Sequence, residues 1–434
     1  MKLNFKLFII LVGLLAVGFS YRPFQVITDF EAYYLAGQRI WAKTLNNEAK
    51  LPGMLTKADK FNPQDSIYQR GDNRPWKYSP SLTYVFLPFS LLPFWWAQFA
   101  YYWFALGLFM LTLYLIYKQF KDDYFTNEKY TFIFFGTLFL LQFRFNILDI
   151  LNLQVNFLML FCTVGFLYFR KKRENLSAFL LALLVGIKIF PVFFLAFLLK
   201  DKNYRLFLKT ILMGFFLILV PLISYGSVGN LIAEYINYFN FMTSDLPVHG
   251  FPSSADHSLI GLDSVLVRVL MDRPFYKDVT ANIVSLSPNT TFAIGLFIKA
   301  TFLGLIIYAQ GKLKGLVKTE KDENFYYWAM TAIYWNFIVI INPLAWKHSL
   351  VILIFSWVIL GLFFLRGLKL TLKEKYLLGF SLSMFLFFSS HMIWGEISRK
   401  YFSRFGPHLL GVIALSWLVY YLSKRVLKEE KFLP

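Results

Sequence analysis

The sequence predicts an all-α polytopic membrane protein, and three observations carry that prediction. Hydrophobic residues fill 57% of the 434 positions, apolar runs of bilayer length recur along the whole chain, and the cations gather in short loops at alternate ends of those runs. A soluble domain is typically about 45 to 50% apolar, whereas a bilayer core takes about 17 to 25 mainly apolar residues per helix.

Candidate spans lie at residues 5–20, 94–117, 130–147, 154–169, 207–224, 291–311, 325–341, 349–365, 376–393 and 407–422. The segment 176–199 needs two more. Arg170, Lys171, Lys172 and Arg173 precede it and Lys200, Lys202 and Arg205 follow it, and both clusters belong on the cytoplasmic side by the positive-inside bias. A hairpin of two short helices satisfies that constraint, broken at Pro191, where the ring removes a backbone donor and disfavours helix just before it. The total is about twelve spans with both termini cytoplasmic. The first span also has the makings of a cleaved signal peptide, with Lys2 and Lys6 ahead of it and Ala16-Val17-Gly18 as a small-residue site. In either case the chain emerges at Asp29 on the extracytoplasmic side.

The net charge of +19 is therefore a topology signal and gives no reason to expect nucleic acid as a partner. The single Cys162 allows no intrachain disulfide. One integral-membrane domain is expected over 1–434, with two long extracytoplasmic loops at about 21–81 and 225–290, where ligand chemistry is expected because loops on a rigid scaffold usually carry it.

In the first loop Phe30, Tyr33, Tyr34, Gly37, Ile40 and Trp41 recur at helical spacing, which predicts an interfacial amphipathic helix resting on lipid or on the spans. Residues 46–75 are polar, and 82–92, between Pro80 and Pro93, form a helix too short to span. Thr28 and Glu31 match a capping box, in which each side chain takes an orphan N–H of the helix start. Glu31 is then a structural group. Asp29, on the first turn, is either a partner of the helix dipole or a general base that removes a proton from an acceptor hydroxyl.

Lys188 interrupts an apolar stretch at the turn of the inferred hairpin. It either snorkels to the interface or points inward, where its point charge suits a lipid-linked phosphate. His348, with Trp346 in the interfacial belt, stands at a proline-broken turn and is placed to donate to phosphate or sugar. In the second loop Asp256, His257, Ser258 and Arg268 line either a sugar or phosphate pocket or an ordinary solvated loop. Arg144, Asp149, Gln154 and Asn156 cluster at the top of the third and fourth spans, and Lys299 is expected to snorkel outward. No metal-ligand spacing, Walker loop or dinucleotide glycine loop is legible, so no metal and no cofactor is expected.

Asp29-Phe30 with Tyr33-Tyr34 and Ala36-Gly37, Tyr78 and Pro80 with Pro88 and Pro93, Gln154-Val155-Asn156, Lys188 with Pro191, Ser258-Leu259, and Pro343 with Trp346 and His348 occur in an order that resembles glycosyltransferase family 87, over about residues 1–360. The resemblance implies the C-type membrane glycosyltransferase fold and inverting transfer, typically of mannose, from a polyprenyl-phosphate donor to a lipid or glycan acceptor outside the cytoplasm, without a metal, in the plasma (inner) membrane. It implies Asp29 as base, Lys188 as donor-phosphate contact and His348 as the polar group of the late turn. Arg268, His257, Asn156, Gln154, Tyr33 and Trp346 are the further substrate-binding candidates. The chain departs from the family at Asp256-His257, where Asn-Gln is frequent, and at Ser349, where a second His is frequent. The rival readings are a secondary transporter, which would place charge near the midplane of repeated halves, and a lipid-linked-sugar flippase or binding protein, which would not need Asp29.

Overall fold

A computed structural model describes residues 3–56, 60–69, 72, 74–242, 259–272, 274–276, 279–280, 282–343, 345–388 and 402–429. Asp256, His257 and Ser258 lie outside the described residues. The backbone groups into two compact units, Met1–Phe132 with Asn146–Asp245, and Ile133–Phe145 with Leu246–Pro434.

In the first unit, α1 (Leu3–Phe19) lies on α4 (Phe94–Phe120) through the stacked rings of Phe5 and Tyr117, 4.4 Å apart. Between them come α2 (Phe30–Leu45) and the short α3 (Thr83–Ser90). A Cβ on Gly37 would meet Ser90 Oγ at 2.5 Å, so only glycine lets these two helices approach this closely. The aromatic face of α2 rests on protein: Phe30, Tyr33, Tyr34 and Ile40 are buried, and Tyr33 stacks on Phe86 of α3 at 4.4 Å.

The last turns of α5 (Glu128–Asn152) lead into α6 (Asn156–Phe169). After α6 come α7 (Glu174–Ile187), α8 (Phe193–Lys200), α9 (Tyr204–Leu219), α10 (Leu222–Tyr225) and α11 (Val228–Asn240). Helix α6 packs on both α4 and α7, and α7 packs on α9. The expected break in 176–199 is present: Lys188 is extended and Pro191 opens a 3-10 turn at Phe190–Val192.

The polar segment after α2 is tied down by buried polar bonds. Arg39 and Asp72, both buried, form two bonds of 2.6 Å, and Arg39 also donates to the Ile67 carbonyl at 3.1 Å. Glu234 accepts from Ile67 N and Ser66 Oγ, each at 2.8 Å. A two-stranded ribbon, β1 (Ala49–Lys50) and β2 (Lys60–Phe61), completes the segment.

The second unit contains α12 (Leu262–Leu270), α13 (Pro288–Lys314), α14 (Glu320–Ile341), α15 (Ile354–Leu365), α16 (Leu372–Leu382) and α17 (Pro407–Lys428). Helix α14 is central, packed on α13, α15 and α17, and is buried continuously from Phe325 to Ile341. Capping boxes start α14 at Thr319 with Asp322 and α16 at Thr371 with Glu374.

Among the described residues, seven helices are long and apolar enough to cross a membrane: Phe5–Phe24, Phe94–Phe120, Glu128–Asn152, Tyr204–Tyr225, Pro288–Lys314, Lys347–Leu365 and Pro407–Lys428. Each coincides with an expected span. Three shorter apolar helices, Asn156–Phe169, Glu174–Ile187 and Phe190–Lys200, occupy the expected positions 154–169 and 176–199. The run 325–341 belongs to α14, whose first turn carries Glu320, Asp322 and Glu323, and part of 376–393 lies outside the described residues. The chain is thus an all-α polytopic membrane protein with seven long candidate spans.

Candidate functional site

Asp29 stands immediately before α2, and the connector leading to it is held from α4. Gln98, buried, accepts from Thr28 Oγ1 at 2.7 Å and Thr28 N at 3.2 Å, and its amide nitrogen donates to the carbonyls of Pro23 and Val26 at 2.5 and 2.9 Å. The capping box expected here does not form. The Thr28 hydroxyl donates to Gln98 and accepts only from Phe30 N, at 3.3 Å, while Glu31 turns away from the helix start towards Arg74. Long-range partners have taken both side chains from their local roles.

The Asp29 backbone N–H donates to the Asn152 carbonyl at 3.2 Å, joining the start of α2 to the end of α5. Leu153 ends α5 in the left-handed region, φ 51°, a conformation that costs a non-glycine residue about 1–2 kcal/mol. The turn directs Gln154 to Asp29: Gln154 Nε2 donates to Asp29 Oδ2, and the Gln154 carbonyl accepts from Tyr101 Oη at 3.2 Å. Oδ1 of Asp29 is 2.7 Å from Arg74 Nη1. Arg74 Nε is in turn 3.4 Å from Oε1 of the buried Glu31, an oxygen that accepts no hydrogen bond.

Burial raises the Asp29 carboxyl above the ordinary aspartate range, opposed by the charges of Arg74 and Lys77 and by the hydrogen bond from Gln154. Burial pushes Glu31 up to about 7, against the pull of Arg74 and with the repulsion of Asp29 added. Asp29 is half-buried, so its carboxylate is both desolvated and reachable.

A second chain of polar groups begins two residues beyond Gln154. Asn156 Nδ2 donates to Asp149 Oδ1 at 2.6 Å, and Lys188 Nζ donates to Asn156 Oδ1 at 3.1 Å. Asp149 therefore orients the Asn156 amide, because an amide that donates to a carboxylate presents its carbonyl oxygen on the other side. Lys188 points inward and does not snorkel out. Its turn is fixed by Ser79 Oγ, which donates to the Gly186 carbonyl at 2.9 Å. Tyr33, buried, places its hydroxyl 3.2 Å from that of Tyr78.

The structure thus brings Asp29 to Gln154, and Lys188 to Asn156 and Asp149, within one unit. Arg74 and the pairing of Glu31 were missed. In sequence Arg74 is one cation in a polar loop, and nothing local distinguishes it from a solvated charge.

The remaining candidates belong to the second unit. Trp346 and His348 stack with ring planes 7° apart and centroids 6.4 Å apart, at the head of a 3-10 stretch, Lys347–Leu353. Leu259 pairs with Trp346, and Ile260 N donates to the Ala345 carbonyl at 2.8 Å. Arg268 is buried and donates to the Leu259 carbonyl at 3.1 Å, bracing this pairing from within. Lys299, expected to snorkel outward, instead forms a 2.6 Å pair with Asp263 of α12, because a partly buried ammonium gains more from a carboxylate within reach than from the interface. An apolar cavity of about 110 Å³, lined by Phe302, Ile306, Phe337, Trp417 and Tyr420 among others, contains no charged side chain.

Among the described residues no three or more His, Cys, Asp or Glu side chains group as a metal set. No curated protein and no solved structure matches the chain. A family model, glycosyltransferase family 87, matches residues 76–309. That segment takes in Lys77, Asp149, Gln154, Asn156, Lys188 and Arg268, and leaves Asp29, Glu31, Arg74, Trp346 and His348 on its flanks. Because the match covers more than half of the 434 residues, this membrane chain belongs to glycosyltransferase family 87.

Proposed function

We propose that the protein is an inverting hexosyltransferase of the plasma (inner) membrane, moving mannose from a polyprenyl-phosphate donor to a glycolipid or glycan acceptor on the extracytoplasmic face, with both termini cytoplasmic and the whole chain serving as one enzyme domain. The observation that carries this reading is a half-buried carboxylate, Asp29, held at both oxygens by Gln154 and Arg74, in the same unit as an inward-pointing lysine held through Asn156 by Asp149.

In the transfer, Lys188 takes the donor phosphate and offsets the negative charge that grows on it as the bond to the anomeric carbon breaks. A preorganised cation in a water-poor site is worth more here than in solvent. The acceptor oxygen attacks from the opposite side and gives its proton to Asp29 late in the step, with polyprenyl phosphate as the leaving group. A base raised by burial accepts that proton better than an ordinary aspartate would. Lys188 supplies the charge that a divalent ion supplies in many transferases, so the reaction needs no metal. Trp346 and His348 are retained as sugar or phosphate contacts on their own loop.

The test uses membranes carrying the full chain, radiolabelled polyprenyl-phosphate mannose and a glycolipid extract as acceptor. Asp29→Asn is expected to lower transfer by about a hundredfold or more, the usual weight of a general base. Unchanged transfer in that variant would remove Asp29 as base. A wild-type protein that transfers nothing from any such donor, yet moves solute across vesicles, would end the enzyme reading.

A further inference from the structure

Arg74 lies between two carboxylates that differ sharply in how well they are satisfied. Asp29 is held at Oδ2 by Gln154 and at Oδ1 by Arg74 Nη1 at 2.7 Å. Glu31, only 1% exposed, leaves Oε1 with no hydrogen bond and 3.4 Å from Arg74 Nε. A buried carboxylate oxygen without a donor is costly, so the contact with Glu31 is incomplete where the contact with Asp29 is complete. The Arg74 side chain is 42% exposed and belongs to a stretch without regular secondary structure. It has room to re-aim its guanidinium, whose five donors form a rigid fork.

A general base must present a free lone pair to the hydroxyl it deprotonates. With Gln154 on one oxygen and a cation on the other, Asp29 is well oriented and keeps free lone pairs, but the cation on Oδ1 weakens it as a base. The geometry has a second position ready for the cation. We propose that Arg74 is a positioning residue with two berths: it holds Asp29 before the acceptor binds, and moves onto Glu31 when the acceptor hydroxyl replaces it at Asp29 Oδ1.

This rests on the reading of Asp29 as the base. In the loaded state the acceptor oxygen forms its bond to the anomeric carbon, the bond from that carbon to the phosphate oxygen breaks, and the acceptor proton passes to Asp29 Oδ1. Arg74 on Glu31 then compensates the buried charge of Glu31, and Asp29 is relieved of the cation that weakens it as a base. Glu31 is thus the residue that makes the base available, without touching the reacting atoms.

The groups that set the titration of Asp29, besides its burial, are the cations Arg74 and Lys77 and the amide of Gln154, while Asp29 in turn acts on the carboxylates Glu31 and Asp149 and the phenol of Tyr78. The two partners of the switch act on it with opposite signs. Removing the Arg74 charge makes Asp29 of the free enzyme easier to protonate, so the acid limb of kcat/KM moves to higher pH. Removing the Glu31 charge leaves Arg74 with Asp29 alone, so the limb moves to lower pH and the plateau falls.

The experiment compares wild type, Arg74→Gln, Arg74→Lys, Glu31→Gln and Asp29→Asn as full chains in lipid nanodiscs. Transfer from radiolabelled polyprenyl-phosphate mannose to a glycolipid extract is followed across pH. The expected result is an alkaline shift of the acid limb in Arg74→Gln, partly reversed in Arg74→Lys. In Glu31→Gln an acid shift is expected together with a plateau kcat/KM about tenfold lower, the size of one charge-assisted hydrogen bond. Limbs that stay at the wild-type position in both neutral variants, or that move in the same direction, would overturn the switch. If Asp29→Asn is silenced in that case, the base reading survives and only the role of Arg74 falls. Full transfer by Asp29→Asn would remove base and switch together.

Discussion

Replacing Asn156 by Leu keeps the volume of the side chain and removes the one group that joins Asp149 to Lys188. Two hydrogen bonds are lost, one of 2.6 Å to a buried carboxylate and one of 3.1 Å from an ammonium. A hydrogen bond to a charged group contributes about 1.5–3 kcal/mol, and Lys188, the more accessible end, recovers part of its loss by turning to water. A net cost of about 2–3 kcal/mol in aiming the ammonium corresponds to roughly a 30- to 150-fold fall in kcat/KM for the donor. The assay is initial-rate transfer at varied concentrations of polyprenyl-phosphate mannose, with Lys188→Met and the double variant measured beside Asn156→Leu. If Asn156 acts by holding Lys188, the double variant loses no more than Lys188→Met alone, because residues in one network are not additive. Losses that multiply, or a single Asn156→Leu variant within threefold of wild type, would refute the reasoning.

Glu31→Gln is expected to stabilise the protein at alkaline pH while slowing it. The carboxyl of Glu31 is raised in the folded chain from 4.5 to about 7, so its contribution to stability is fully present below about pH 4.5 and is lost as pH rises through about 7. Thermal unfolding in detergent should therefore favour the Gln variant at pH 8, by up to about 3 kcal/mol, and show little difference at pH 4. Equal midpoints at pH 8 would contradict this. Asp72→Ala leaves Arg39 charged and unpaired inside the protein, a change that costs about 3–5 kcal/mol, and limited proteolysis should then open the segment after α2. An intact segment would mean that Ile67 and Glu234 suffice to hold it. Gly261→Ala drives a Cβ into the backbone carbonyl of Asn342, so amide exchange at Ile260, whose N–H bonds to Ala345, should accelerate. Unchanged protection there would show that the two paired segments part without cost.

The long apolar helices were legible because lipid demands an unbroken run, and each of the seven matches one in the sequence. The run at 325–341 was legible as an apolar helix, but apolarity alone does not separate a span from a buried core helix. A helix apolar on every side suits the interior of a protein as well as a bilayer, and α14 is buried along that whole stretch. Lys188 was legible as a functional candidate because a lone charge in apolar sequence is costly unless it is used. Arg74 was not, since a cation in a polar loop has no local signature. The capping box failed for a related reason. Thr28 and Glu31 have the right spacing, but a pattern four residues long carries no record of Gln98, 70 residues away, or of Arg74, which offer both side chains other partners.

Each side chain of the proposed centre stands where a helix stops. Asp29 precedes α2, Gln154 follows the left-handed Leu153 that ends α5, Asn156 opens α6, and Lys188 is the extended residue after α7. A helix interior would commit these backbones to their own hydrogen bonds and carry the side chains on one fixed cylinder. A break releases them, but at the risk of a loose site. Here the breaks are anchored: Asp29 N to Asn152 O joins two of them, Tyr101 Oη from within α4 holds Gln154 O, and Ser79 Oγ holds Gly186 O. A base and a phosphate contact must keep a fixed spacing while substrate charge is redistributed, because misplacement by about 1 Å costs roughly a hundredfold in rate. Anchored helix ends serve that need in the proposed centre. Arg74, on a segment outside the helices, is then the member of the cluster left able to move.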